Sequence, residues 1–325
     1  MELQGTHSSM TETAVLLITC PDSKGLVAAV SGLLFAHGAN ILHADQHQDA
    51  AEGLFFMRVE WQLEASPATA ASTAPTTSAA PAIPADESFN LPAFEAAFAP
   101  LARQFLMHWS LHTNRQQPRV AVFVSQHLHC LADLLHRHSQ HELAGNIALV
   151  VSNHPDAADL SRFHGIPFHY IPLSRPNTRP GTPADPALKL AAEQRQMDLL
   201  AAQRIDLVVL ARYMQVLSPA FIARFPSAII NVHHSFLPAF VGARPYHAAF
   251  ARGVKLIGAT SHYATAALDD GPIIEQDVAR ISHRDSIPDL IARGRDLERL
   301  VLFRAVRWHL DHRIVTYGNK TVVFD

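Results

Sequence analysis

The sequence has few cysteines, no surplus of basic charge and no long apolar run. Two cysteines among 325 residues cannot form a disulfide framework, so a reducing compartment, the cytoplasm, is expected. Lys plus Arg number 26 against 29 Asp plus Glu, which argues against a nucleic-acid or membrane-surface partner. Residues 1–13 carry no apolar signal core, and no segment offers about 20 consecutive apolar residues, so neither secretion nor membrane insertion is expected.

Aromatic residues are absent from residues 65–88, where nearly every position is Ala, Ser, Thr or Pro. Such a segment cannot bury enough apolar surface to offset the entropy of ordering, so it is expected to be a flexible loop. Its flanks place it inside a domain. The apolar patterns predict, in order, strand 14–20, helix 26–37, strands 39–48 and 54–63, helix 91–104 and strand 105–112. That order is a ferredoxin-like α+β unit.

The pattern changes after residues 114–118, which are interpreted as a linker. Short apolar strands then alternate with helices: strands at 120–125, 147–152, 168–171 and 205–211, and helices at 127–138, 156–163 and 187–203. This alternation is typical of a mainly parallel, Rossmann-like α/β sheet covered on both faces. The predicted organisation is a tail at 1–13, a first domain at 14–113, the linker, and a second domain at 119–325, which ends in a helix (287–311) and one short strand.

Polar side chains follow two of the later strands. Asn231 and His233 lie two residues apart at the end of an apolar strand, so they point the same way. His262 ends the next strand, and Asp269 lies in an acidic turn beyond it. An amide, an imidazole and a carboxylate can bind a carbonyl oxygen, stabilise an oxyanion and move a proton, which is equipment for acyl transfer or hydrolysis. The alternative is a structural role for both residues: His233 is a hydrogen-bonded histidine at a strand end, and Asp269 lies in an ordinary turn.

Longer motifs carry a resemblance. The segments NVHHSFLP (231–238), GARPYH (242–247), GATSH (258–262) and LDDGP (268–272) closely resemble the catalytic domain of 10-formyltetrahydrofolate-dependent formyltransferases, and within that superfamily the formyltetrahydrofolate deformylases. CPDSKG (20–25), HGANI (37–41), DQH (45–47) and FFMR (55–58) are similar to the ACT domain that begins those deformylases.

This resemblance implies hydrolysis of 10-formyltetrahydrofolate to formate and tetrahydrofolate, with no cofactor and no metal. Asp269 is then the general base and His233 and Asn231 stabilise the oxyanion, with His234 and His262 in support. The implied folate-binding residues are Gln215, Val216, Leu217, Thr265 and Leu268. The ACT-like domain implies a homo-oligomer, a dimer or tetramer, and an amino-acid effector site, whose residues by position are Asp22, Lys24, Gly25, Leu26 and Asn40. A purely oligomerising domain without a ligand is the alternative.

The first strand–helix turn separates hydrolysis from transfer. A transferase acting on a phosphorylated amine needs a glycine-rich turn there, so that backbone N–H groups reach the phosphate. Residues 125–130, SQHLHC, contain no glycine, which leaves water as the acceptor; a phosphate site built from the His127 or His129 side chain is the alternative. Formyl transfer to a small amine, and an amino-acid sensor with an inactive enzyme domain, remain the competing functions.

Histidines are numerous, and most are expected to have structural roles. The chain has 21, of which five lie between residues 127 and 141. Metal ligation needs a specific set of partners, and residues at i and i+2 on a helix do not share a face. No metal site is therefore predicted in this run.

Overall fold

The computed structural model describes residues 11–63, 89–173, 186–238 and 245–325. Contacts divide the chain into two units, Met1–Gln116 with Phe324–Asp325, and Gln117–Val323. The boundary falls inside the segment 114–118 that the sequence indicated as a linker, but the last two residues group with the first unit, not with the second domain as expected. Most of the tail and the whole low-complexity segment 65–88 lie outside the described residues.

The first unit is a four-stranded antiparallel sheet with two helices. Its elements are β1 (Thr13–Pro21), α1 (Leu26–Ala36), β2 (Asn40–Asp49), β3 (Leu54–Gln62), α2 (Leu91–Gln104) and β4 (His108–Thr113). The strand order β2-β3-β1-β4 confirms the ferredoxin-like prediction. β4 begins three residues later than predicted because Leu106, just after α2, takes a left-handed φ of 54°.

Aromatic packing holds α2 against this sheet. Trp61, Phe94 and Phe98 are fully buried, and the ring of Phe94 lies 5.4 Å from that of Trp61 and 5.5 Å from that of Phe98. Burying one such side chain contributes about 1.5–3 kcal/mol relative to leaving it exposed. The helix begins where Asn90 accepts a hydrogen bond from the Ala93 amide, which satisfies one of the free first-turn donors.

The second unit is a seven-stranded sheet with helices packed on it. Its elements are β5 (Arg119–Val124), α3 (His129–Ser139), β6 (Asn146–Ser152), a 3₁₀ turn (Pro155–Ala157), α4 (Ala158–Phe163), β7 (Phe168–Tyr170), α5 (Pro186–Ala202), β8 (Leu207–Leu210), α6 (Pro219–Ala223), β9 (Ile229–His233), α7 (Pro245–Arg252), β10 (Leu256–Tyr263), β11 (Ile273–Arg280), α8 (Ile287–Leu310), β12 (Ile314–Tyr317) and β13 (Lys320–Val323). The last two strands form a hairpin where the sequence analysis expected one strand.

The sheet runs in the order β11-β10-β9-β8-β5-β6-β7. The five strands from β9 to β7 are parallel, whereas β10 is antiparallel to both β9 and β11, so the prediction of a mainly parallel sheet is confirmed. α8 packs on β9, β10 and β11. It starts with a capping box in which Ser286 and Asp289 each accept from the other's backbone N–H. Within the described ranges, no helix has the length and apolarity needed to cross a bilayer.

Candidate active site

The pairing of β9 with β10 brings Asn231 and His262 together. The two strands are antiparallel, with His262 opposite Asn231 and Thr260 opposite His233. Alternate residues of a strand share a face, so these four side chains lie on one face of the sheet. His233 is the last residue of β9, as expected. His262 reaches the site through its register with Asn231, because the carboxyl end of the antiparallel β10 does not share an edge with that of β9.

Hydrogen bonds fix the orientation of the Asn231 carboxamide. Nδ1 of His262 lies 3.0 Å from the carbonyl oxygen of Tyr263, which only accepts, so Nδ1 carries the proton. Nε2 of His262 is then an acceptor, and Nδ2 of Asn231 donates to it at 3.1 Å. Burial lowers the pKa of His262, which keeps the ring neutral. The second N–H of the carboxamide can donate to a bound group.

Asp269 lies in the loop between β10 and β11, whose two ends are hydrogen-bonded to each other. Tyr263 N–H donates to the Pro272 carbonyl at 2.9 Å, which closes the loop between β10 and β11. A Cβ on Gly271 would lie 1.8 Å from the Tyr263 carbonyl oxygen, so only glycine allows this closure. Asp269 itself has a left-handed φ of 54°, a conformation that aspartate tolerates better than most residues.

Asp269 contacts His233 across this loop. Oδ2 of Asp269 lies 3.3 Å from Nδ1 of His233, and the Asp269 side chain is 13% exposed. The hydrogen bond from His233 is the largest influence on the carboxyl and, against the opposing effect of burial, holds the pKa of Asp269 below its ordinary value. Oδ1 lies 3.8 Å from Nε2 of the neutral His262. The structure thus brings Asn231, His233 and Asp269, the three predicted catalytic residues, into one cluster.

His233 keeps one nitrogen for a ligand. Its ring is buried, and its Nε2 atom has no hydrogen-bond partner among the described residues. A buried unsatisfied ring nitrogen costs free energy unless something binds it. With Nδ1 donating to the Asp269 carboxylate, Nε2 accepts in the neutral ring and donates only in the doubly protonated ring, which is the form that can bind an oxygen gaining negative charge.

Thr260 holds the chain that follows β9. Its hydroxyl donates to the Ser235 carbonyl at 2.9 Å and accepts from the Leu237 amide at 3.0 Å and from Nε2 of Gln276 at 3.0 Å. Thr260 lies on β10 and Gln276 on β11, so these bonds anchor Ser235 and Leu237 to the sheet. The His233–His234 segment is therefore fixed from both sides rather than carried on a free loop.

His234 lies beside the cluster of Asn231, His233 and Asp269. Its ring centroid is 5.0 Å from that of His233 and 6.2 Å from that of Tyr246 on α7. Burial, then the Arg212 cation, lower the pKa of His234 to about 4. The ring is thus neutral at physiological pH.

The predicted folate-binding residues occupy two segments of the second unit. Val216 and Leu268 are half-exposed or more, whereas the Leu217 side chain is buried in the core, so only its main chain can face a ligand. Leu217 packs in the same hydrophobic cluster as Ala264, which precedes the second segment. Gln215 is partly buried. Thr265 lines a small pocket shared with the β12–β13 turn, a neighbour that the sequence did not indicate.

Side chains, not glycines, fill the β5–α3 turn. Ser125 is buried, donates to Oδ1 of Asn153 at 2.7 Å and accepts from the Met214 amide at 3.1 Å. His129, the first residue of α3, donates through Nε2 to Oε2 of Glu298 at 2.8 Å. These contacts tie the turn to β6, β8 and α8.

Glu298 belongs to a buried polar cluster that sequence reasoning missed. Its carboxylate, 1% exposed, also accepts from the Tyr246 hydroxyl at 2.7 Å, and Nε of Arg212 lies 3.4 Å away. Burial raises the pKa of Glu298, but the His129 hydrogen bond, the Arg212 cation and the Tyr246 hydroxyl together hold it below its ordinary value. The signal available was an acidic residue on the apolar face of a helix.

The same cluster has the ligand types of a metal site but not its electrostatics. His129, Cys130 and Glu298 offer three ligand-type atoms within 4.8 Å of one another. Burial keeps the pKa of the Cys130 thiol well above its ordinary value, and a guanidinium already neutralises the carboxylate. These contacts describe an ion-pair cluster, and no metal is assigned to it.

Four of the five residues predicted to bind an effector lie at the start of α1, whereas Asn40 begins β2, beyond the other end of that helix. Gly25 takes a φ of 91° before the helix, and Asp22 accepts a hydrogen bond from the Gln48 side chain on β2. Lys24 and Asn40 are exposed. The Leu26 side chain is 2% exposed and belongs to the core of the first unit, so only its main chain can face a ligand.

Together these features define an ACT-type domain followed by a catalytic domain of the formyltransferase class. The formyl transferase family matches residues 118–306, and the ACT domain family matches residues 14–61. The Synechocystis formyltetrahydrofolate deformylase is 49% identical over 96% of this chain and 98% of its own length. The crystal structure of a Pseudomonas syringae pv. tomato formyltetrahydrofolate deformylase has a TM-score of 0.84 at 44% identity, covering 98% of this chain and 96% of that one. The chain belongs to the formyltetrahydrofolate deformylase family.

A solved transferase shares only part of the chain. Glycinamide ribonucleotide transformylase 1 from Symbiobacterium toebii covers 66% of this chain and 98% of its own, with 28% identity and a TM-score of 0.58. The likeness therefore spans a length close to that of the second unit.

Proposed function

We propose that this protein hydrolyses 10-formyltetrahydrofolate to formate and tetrahydrofolate. The observation that carries the proposal is the contact between His233 and Asp269, beside Asn231, in a chain that matches formyltetrahydrofolate deformylases over nearly its whole length. The folate is the substrate, and the chemistry needs no cofactor.

Asn231 and His233 act on the formyl oxygen. One N–H of the Asn231 carboxamide donates to His262, so the other points to the substrate carbonyl. Doubly protonated His233, with Nδ1 on Asp269, donates through Nε2 to the same oxygen as it becomes an oxyanion. Donors fixed in advance stabilise this charge without reorganising.

Asp269 moves the proton. Its carboxylate takes a proton from the attacking water while the oxygen bonds to the formyl carbon. Because its pKa is held low by His233, the carboxyl gives the proton up readily to N10 of the folate. The oxyanion then collapses, the C–N10 bond breaks, the amine leaves, and the formic acid that forms releases its proton to solvent as formate.

The filled β5–α3 turn favours water as the acceptor. A phosphorylated amine needs backbone N–H groups open to its phosphate at a helix N-terminus. Here His129 occupies the start of α3 and is bonded to Glu298. A phosphate at this position would lie near the Glu298 carboxylate instead of open backbone N–H groups.

One incubation tests the proposal. Purified protein is mixed with 10-formyltetrahydrofolate alone, and formate is measured by proton NMR. We expect one formate for each tetrahydrofolate formed. Turnover that needs an added amine supports the transferase alternative, and no turnover with or without amine supports an inactive enzyme domain; either result overturns the hydrolase.

For the first unit, we infer a small amino acid at the start of α1 and side-by-side pairing of two such units. The support is the ACT family match and the exposed polar groups around Gly25. The cytoplasm remains the predicted compartment.

A further inference from the structure

The Glu298 cluster connects to the catalytic histidines through two rings. The Tyr246 hydroxyl donates to Oε1 of Glu298 at 2.7 Å, and its ring lies 6.2 Å from that of His234. His234 in turn lies 5.0 Å from His233. Contacts therefore run without a break from α8, through α7, to the end of β9.

Gly294 on α8 leaves room for the contact between Tyr246 and Glu298. A Cβ on Gly294, one turn before Glu298 on α8, would lie 2.0 Å from the Tyr246 hydroxyl oxygen. Only glycine there lets the hydroxyl reach the carboxylate. The position of the tyrosine is thus set by α8.

Arg212 is held in the cluster at a cost. It is 9% exposed and has a left-handed φ of 63°, and its carbonyl accepts from the Ser125 amide at 3.2 Å. Its Nε forms an ion pair with Glu298 without hydrogen-bond geometry, and its Nη1 has no hydrogen-bond partner among the described residues. A buried, incompletely bonded guanidinium is a poor stabilising device, so a role in the reaction accounts better for it.

We propose that Arg212 and Glu298 are positioning residues that act through Tyr246 and His234 on the catalytic His233. This inference rests on the proposed function. The Arg212–Glu298 pair holds the Tyr246 hydroxyl, whose ring packs against His234, and burial together with the Arg212 cation keeps the His234 ring uncharged. Neither Arg212 nor Glu298 needs to contact the substrate.

The charges that face His234 set the direction of each effect. They come from Arg212 after β8, His233 on β9, Glu298 on α8 and Asp269 in the β10–β11 loop, with the Tyr246 ring on α7. Arg212 lowers the pKa of His234 and Glu298 raises it. Removing the Arg212 cation should therefore raise the pKa of His234, whereas removing the Glu298 carboxylate should not.

The test compares kcat and KM for formate release between pH 4 and 8. In Arg212→Met we expect kcat to fall on the acid side of the pH profile, a new acid limb. Its midpoint should lie between about 4, the pKa of His234 in the wild type, and the ordinary 6.5, and KM should change little. Misplacement of a reacting group can cost about 100-fold, which is the scale expected for the loss of kcat at the low end. Arg212→Lys, which keeps the charge, should restore the wild-type profile.

Two further variants separate positioning from folding. Tyr246→Phe removes only the hydroxyl and should lower kcat without a new acid limb. Glu298→Gln should lower kcat and should not move the limb upward. Arg162→Met, which removes an exposed ion pair with Asp159 on α4, is the matched control and should change nothing. A wild-type kcat and pH profile in Arg212→Met would overturn the proposal. If that variant does not fold, a wild-type kcat in Tyr246→Phe would overturn it.

A readout without turnover keeps this inference separate from the proposed function. In ¹⁵N-histidine-labelled protein, the signal missing from His234→Gln identifies His234. Its titration midpoint should rise in Arg212→Met and not in Arg162→Met. A wild-type enzyme that releases no formate refutes the hydrolase, whereas an unchanged midpoint refutes the role of Arg212.

Discussion

Nε2 of His262 accepts a hydrogen bond from Nδ2 of Asn231 at 3.1 Å, across the antiparallel pair β9–β10. The ring that makes this contact is anchored on its other side by the Tyr263 carbonyl. A neutral histidine thus fixes the orientation of the Asn231 carboxamide.

Replacing this histidine should lower activity through Asn231. In His262→Ala the carboxamide loses its acceptor, and a buried donor without a partner costs about 1–3 kcal/mol, or roughly tenfold or more in kcat. His262→Gln keeps a side-chain oxygen that can accept and should recover part of the loss. Steady-state formate release measures both; equal kcat in His262→Ala and wild type removes the role.

The role of Asp269 as the base predicts a steep loss of kcat in Asp269→Asn. General acid–base action is typically worth about 10²–10⁴-fold, and folate binding, measured by fluorescence quenching, should survive. Asp270→Asn is the matched control because its exposed side chain neighbours the same turn. Near-normal turnover by Asp269→Asn assigns the base elsewhere.

Closure of the Asp269 loop predicts opposite effects at two glycines. Gly271→Ala puts a Cβ against the Tyr263 carbonyl, so the loop must shift, with a stability loss of about 1–3 kcal/mol and a lower kcat. Gly32→Ala on α1 meets no atom within 4 Å and should stabilise the protein by about 0.5–1 kcal/mol. Urea unfolding measures the free energy of unfolding of both variants, and an equal change in the two contradicts the packing argument.

The low pKa of Asp269 predicts a pH-dependent contribution to stability. The hydrogen bond from His233 holds this pKa below 3.8, so the contribution is complete above the unfolded value and is lost as pH falls through the folded one. The free energy of unfolding of wild type should therefore exceed that of Asp269→Asn at pH 6. The gap should narrow as the pH falls below 3.8. A gap independent of pH shows that the carboxylate is not stabilised by the histidine.

An effector at the start of α1 predicts ligand-dependent stability. Screening the amino acids by thermal shift should show one or more small ones that raise the melting temperature of wild type and not of Asp22→Ala. The substitution removes the carboxylate that accepts from Gln48, and the exposed Glu95 on α2 offers a control, Glu95→Ala. No shift with any amino acid leaves the first unit as an oligomerising domain.

Local sequence patterns determined much of this protein. Apolar periodicity and turn residues predicted both domain folds and nearly every strand, since those signals depend on which face of an element is buried. The helices α6 and α7 were missed because each is short, and the last hairpin was taken for one strand. The spacing of Asn231 and His233 predicted that their side chains point the same way, because alternate residues of a strand share a face.

Tertiary structure decided what no local pattern encodes. The antiparallel course of β10 places His262 opposite Asn231, and a folded-back loop brings Asp269 to His233. Glu298 meets Arg212 only because α8 packs over the sheet, so a charge on an apolar helix face gave no partner in the sequence. Contacts between residues far apart in the chain depend on how whole elements pack, and this packing, not the residue types alone, determined the charge and orientation of each group in the site.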